Sequence, residues 1–165
     1  MTDEPKAEPA TGNALKAAKD TFRILIMDST EHTDQLKEAC KDAGHTVLPA
    51  HTIKEAFVFL DGKNHADVIV CAAYLEDESL FEFLKRLRSN PIHKASMFLI
   101  LALAPGPVGA HSNVSTERAG RLLGADAFIS MPVFDAEQLI AEIKKLLPSV
   151  PMMERSRLEE EQRRS

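Results

Sequence analysis

Asp67-Val68-Ile69-Val70-Cys71-Ala72 is the stretch on which the fold turns. Val68 to Cys71 form an unbroken apolar run, short and rich in β-branched residues. Such a run predicts a strand buried on both faces, as at the centre of a parallel sheet. Tyr74-Leu75-Glu76-Asp77-Glu78 follows as a polar loop, and an amphipathic helix opens at Ser79. In open parallel sheets, ligands and chemistry gather at the carboxyl ends of the central strands. Here that end carries Ala72 and Ala73, whose methyl groups can neither attack nor hydrogen-bond.

Upstream of this strand the pattern alternates. Phe22-Arg23-Ile24-Leu25-Ile26-Met27 predicts a first strand ending at Asp28. Ser29 and Thr30 are placed to cap a helix whose inner face is Leu36, Ala39, Cys40 and Ala43, with Gly44 as its stop. Thr46-Val47-Leu48 reads as a short second strand. Thr52 and Glu55 form a capping box ahead of Ile53, Ala56, Phe57 and Leu60.

Downstream the alternation continues. Ser79 and Glu82 repeat the box before Leu80, Leu84 and Leu87, and Ser89-Asn90-Pro91 ends that helix. Met97-Phe98-Leu99-Ile100-Leu101 is another buried strand. A long loop is expected from Leu103 to about Val114, because it holds Pro105, Gly106, Pro107 and Gly109; a short helix then covers about 115–123. Asp126-Ala127-Phe128-Ile129 is the last strand. Asp135 and Gln138 cap a final helix with Leu139, Ile140, Ile143, Leu146 and Leu147 inside, ended by Pro148 and Pro151. Five strands alternating with five helices, joined by right-handed crossovers, specify an α/β fold. The simplest form is a flavodoxin-like, doubly wound five-stranded parallel sheet in the order 2-1-3-4-5.

The chain divides into a flexible arm over 1–20, a folded domain over 21–148 and a charged tail over 149–165. A formal charge of −5 and no clustered basic residues argue against nucleic acid as a partner. Cys40 and Cys71 sit in apolar patterns and read as reduced core residues. No apolar run reaches membrane-spanning length, and the acidic start lacks the apolar segment of a secretion signal, so a cytoplasmic protein with no membrane contact is expected.

Three segments resemble one family, the receiver domains of two-component response regulators, in the right order over residues 22–147. Arg23-Ile24-Leu25-Ile26-Met27-Asp28 is similar to the family's first strand. Ala66-Asp67-Val68-Ile69-Val70-Cys71-Ala72 is similar to the strand that ends in the phosphate-accepting aspartate. Gly124-Ala125-Asp126-Ala127-Phe128-Ile129-Ser130-Met131-Pro132 resembles the Gly-Ala-Asp-x-Tyr-x-x-Lys-Pro segment.

The phosphorylation constellation that this resemblance implies is degenerate. Ala72 stands at the nucleophile's place and Met131 at that of the lysine. Asp28 keeps one first-strand acid, but Ser29 occupies its partner's position. Ala102 falls where a Thr or Ser is expected, and Pro132 at the family's cis-proline. One carboxylate is poor support for an octahedral Mg²⁺. The resemblance therefore implies a non-phosphorylated pseudo-receiver, not an enzyme, with no catalytic residue, cofactor or metal. Several readings stay open beside it. Asp28 is either a capping residue or a retained metal ligand, and Phe128 is either core packing or the family's aromatic switch. Asp77 and Glu76 are solvated loop acids or substitute phosphoacceptors. A flavodoxin-like small-ligand binder shares the architecture, but Ser29-Thr30-Glu31-His32-Thr33 has no glycine to bring amides close to a phosphate. The six histidines show no ligand spacing.

By the same resemblance, partners are signalling proteins, such as a histidine kinase or a motility or chemotaxis component. They are expected on the face made by the fourth helix, fifth strand and fifth helix, which also serves self-association. Its residues are Arg118, Arg121, Phe128, Gln138, Glu142 and Lys145. The tail carries Glu159/Arg163 and Glu160/Arg164 at helical i,i+4 spacing. It is either a solvated segment or a tail that folds onto that face or onto a partner.

Overall fold

The computed structural model describes residues 21–28, 31–62, 65–103 and 106–164. The expected arm over 1–20, and Ser29 and Thr30, lie outside the described residues. Five parallel strands form one sheet in the order β2-β1-β3-β4-β5: β1 Arg23–Met27, β2 Thr46–Ala50, β3 Val68–Ala72, β4 Met97–Leu103 and β5 Ala127–Met131. The apolar run at 68–71 is the middle strand of the five and fully buried, because helices cover both sheet faces. Pro49 in β2 is tolerated at a sheet edge, where one row of donors is not needed.

Strand alternation sorts the core into two layers. Ile24, Ile26, Val68, Val70, Leu99, Leu101, Ile129 and Met131 face α1 (Thr33–Asp42) and α5 (Ala136–Leu146). Leu25, Met27, Ile69, Cys71, Phe98, Ile100 and Ala102 face α2 (Ile53–Leu60) and α3 (Leu80–Arg88). α4 (Gly106–Leu122) lies in that second layer, where Gly120 comes close to Ile100. Burial pushes the Cys40 thiol up to about 12, and Cys71 rises through burial and the nearby charge of Asp28. Both cysteines are buried free thiols.

The helix starts show which caps were legible. Thr52 Oγ1 accepts the Glu55 N–H at 3.1 Å, while the Glu55 carboxylate accepts from His51 N at 2.8 Å, one residue earlier than a reciprocal box requires. Asp135 caps as expected, accepting from Gln138 N, whereas Ser79 caps through Phe81 N where the expected box called for Glu82 N. At α1 the expectation fails. The helix begins at Thr33 with His32 at its cap position and no side-chain cap. Thr33 instead donates its hydroxyl to the Asp28 carbonyl at 3.1 Å, satisfying the chain where it leaves β1.

Two further expectations are corrected. The long loop after β4 is largely helix, since α4 starts at Gly106. Pro107 falls in its first turn, where a missing N–H costs nothing. No described peptide bond is cis, so the Met131–Pro132 bond is trans. An X–Pro bond prefers trans by only about 0.5–1 kcal/mol, so the surrounding chain decides. Here Asp135 N donates to Met131 Sδ at 3.3 Å and Asp135 caps α5, which fixes the path after β5.

A sixth helix, α6 (Met152–Arg164), raises the helix count above the five expected. Asp67 anchors its start. This buried carboxylate accepts Arg23 N through Oδ2 and Met152 N through Oδ1, both at 2.8 Å, and so joins β1, β3 and α6 at the amino end of the sheet. From Arg155 onward α6 is exposed, and the helix carries its own charge ladder, with Arg157 paired to Glu154 and Glu161 and Arg164 paired to Glu160. Pairing runs through Arg157, not Glu159 and Arg163.

Candidate functional site

The carboxyl ends of the strands converge as the sheet order requires, and they bring most of the candidate residues together. β1 leaves the sheet into Asp28, β3 ends at Ala72 and β5 ends at Met131. The register sets Met27 beside Cys71, Ala72 beside Leu101, Ala102 beside Ser130 and Leu103 beside Met131. Asp28 is 2% exposed and lies near Cys71, whose thiol it helps to raise. Its backbone is fully engaged: N–H to Ala50 O at 3.2 Å, and carbonyl with both Thr33 Oγ1 and His51 Nδ1, the latter at 3.0 Å.

Met131 and Ala102 point to opposite sides. Met131 is 1% exposed and lies in the α1/α5 layer with Val70, Leu101 and Leu139. Its thioether fills core space and accepts the Asp135 amide. Ala102, fully buried, belongs to the α2/α3 layer with Cys71 and Ile100. Ala72 is half-buried and Pro132 exposed. Chemically, the ends of β1, β3, β4 and β5 offer methyl groups, one thioether and one carboxylate among the candidate residues. A Mg²⁺ ion asks for octahedral oxygen donors. Asp28 is one such donor, and among the described residues no group of three or more His, Cys, Asp or Glu side chains is set to hold a metal.

Asp77 is exposed and left-handed, with φ 58°, in the loop after β3. Its neighbour Glu78 has a structural task, accepting Ile53 N at the start of α2 at 2.8 Å. A groove of about 590 Å³ opens between the first turn of α1 and the loop after β5, lined by Glu31, His32, Gln35, Leu103, Val133 and Phe134.

The six expected partner residues lie on α4, β5 and α5. Arg118 and Gln138 are exposed. Arg121 pairs with Glu117, and Lys145 with Glu142, each at 3.0 Å. Phe128 is half-buried against the α2/α3 layer. α4 and α5 cover opposite sheet faces, so the residues on the two helices lie on opposite sides of the sheet.

Sequence reasoning missed several residues at this end. His51 meets Asp28 only because β1 and β2 are neighbours. Tyr74, Asn113 and Ser130 form a hydrogen-bonded chain from the β3–α3 loop to α4 and β5. No spacing links residues 39 and 17 positions apart, so only the fold brings them together.

No protein-family model matches the chain. The sheet order and helix layers nevertheless define the fold of a response-regulator receiver domain, and solved structures share it. The chemotaxis response regulator CheY4 of Vibrio cholerae superposes with a TM-score of 0.65 at 22% identity, over 77% of this chain and 99% of that one. A response regulator from Thermotoga maritima gives 0.62 at 21% identity, over 76% and 97%. The signal receiver domain of a histidine kinase from Syntrophus aciditrophicus gives 0.63 at 20% identity, over 77% and 90%. In sequence, the transcriptional regulatory protein TrcR of Mycobacterium tuberculosis is 28% identical over 151 residues, 92% of this chain and 52% of TrcR. The chain thus spans about half the length of that relative. These likenesses show that the chain shares the receiver fold.

Proposed function

We propose that this chain is a receiver-like signalling module that acts by protein–protein contact and is not itself phosphorylated. The observation that carries the reading is the pairing of Ala72 at the end of β3 with Met131 folded into the core. A receiver that traps a phosphoryl group requires a nucleophile and a cation at these two positions. Here the first is a methyl group and the second a packing residue, so neither attack nor charge neutralisation has a source. The module binds; it does not turn over a substrate.

The partners are signalling proteins of a two-component or phosphorelay pathway, such as a histidine kinase or a motility or chemotaxis component. They engage the β5 edge through Arg118, Arg121, Phe128, Gln138, Glu142 and Lys145, the same edge serving self-association. A cytoplasmic setting suits this role. Among the described residues no helix is long and apolar enough to cross a membrane.

The test is direct. Beryllofluoride or acetyl phosphate with Mg²⁺ is expected to leave the amide spectrum of the full chain unchanged. Shifts clustered around Asp28, Ala72 and Met131 would overturn the reading.

A further inference from the structure

The loop after β3 reaches α4 and β5 through side chains. Tyr74 Oη donates to Asn113 Oδ1 at 3.0 Å, and Asn113 Nδ2 donates to Ser130 Oγ at 3.0 Å. Asn113 uses both ends of its amide, so the three groups form one continuous chain. Ser130 is the register partner of Ala102, which places the bridge on the α4 side of the strand ends.

Among the described side chains of α4, two contacts differ in kind. Toward its C-terminus the contact is apolar and close: a Cβ on Gly120 would fall 2.4 Å from Ile100 Cδ1, and Thr116 is buried nearby on the helix. Further toward the N-terminus the polar bridge at Asn113 provides a tie. Its surroundings are open, with Tyr74 41% and Val114 66% exposed. Close apolar packing is rigid, whereas a hydrogen bond between part-exposed neutral groups shifts an equilibrium only about 2- to 10-fold. The two attachments therefore differ in how readily they yield.

We propose that the Tyr74–Asn113–Ser130 bridge couples the β3–α3 loop to the α4–β5 surface, setting the position of α4 without a phosphoryl group. This rests on the receiver-like reading above, in which Arg118, Arg121 and Phe128 belong to the partner surface. Displacing Tyr74 lets the Asn113 end of α4 move about its Gly120 contact, and the change appears at that surface.

The test uses the full chain with Tyr74→Phe and, separately, Ser130→Ala, read by amide hydrogen exchange and chemical shifts. Each variant keeps the ring or backbone and removes one bond of the bridge. About 2- to 10-fold faster exchange is expected in α4 over residues 112–118, with shifts at Phe128 and with α1, β1 and β3 unchanged. Unchanged α4 exchange in both variants overturns the proposal. So does an equal rise throughout the domain, which marks general loss of stability. No phosphoryl analogue enters this measurement, so its outcome is separate from that of the beryllofluoride experiment.

Discussion

Ala72→Asp and Met131→Lys, made singly and together, test whether the two positions face one pocket. Alternation puts both on the α1/α5 side of the sheet, Ala72 following Val70 and Met131 following Ile129. Only β4 separates their strands, so the backbones stand roughly 10 Å apart. A lysine stem spans most of that gap.

Met131→Lys exchanges a buried thioether for an ammonium that must reach the pocket mouth, at about 2–4 kcal/mol. Ala72→Asp sets a carboxylate beside Asp28 on a half-buried strand end, at about 1–2 kcal/mol. In the double variant the new charges attract. Coulomb energy near 4 Å is about 4 kcal/mol at an effective dielectric of 20. Desolvation and ordering reduce the expected coupling to about 1–2 kcal/mol. Urea unfolding of the four proteins measures it. Additivity within about 0.5 kcal/mol would refute the geometry.

Two other outcomes follow from the amino end of the sheet. Asp67→Ala strips the carboxylate from Arg23 N and Met152 N and should destabilise the domain by about 3–5 kcal/mol, with loss of α6 amide protection; urea unfolding and hydrogen exchange check it, and protected α6 amides would contradict the anchoring. His45 has its pKa lowered by burial, with the Asp67 charge opposing. Its neutral form is therefore favoured in the fold, so this contribution is present above the ordinary value of 6.5 and is lost as pH falls below it toward the folded pKa. His45→Gln should flatten the stability-against-pH curve in that window; an identical curve would show that another group titrates.

Sequence alone carried the reading furthest where one local pattern decides one local structure. The β-branched run at 68–71 is the middle strand, and Thr52, Ser79 and Asp135 cap helices because each hydroxyl or carboxylate needs only amides two or three residues away. Local rules failed where they competed. Gly106, Pro107 and Gly109 read as a loop, yet α4 runs through them. Proline is harmless in a first turn, and isolated glycines weaken a helix by only about 1 kcal/mol each.

The composition of the candidate site was also legible, because a strand's end is a sequence position and Ala72, Met131 and Asp28 are visible there. What each does was not. That Met131 packs in the α1/α5 layer follows from strand alternation once the register is known. The place of Asp67 under α6, His51 on the Asp28 carbonyl, and the Tyr74–Asn113–Ser130 chain are different in kind. They join residues up to 85 positions apart. Hydrogen bonds form over about 3 Å of space, whatever the separation along the chain, and only the folded sheet brings those atoms within that distance.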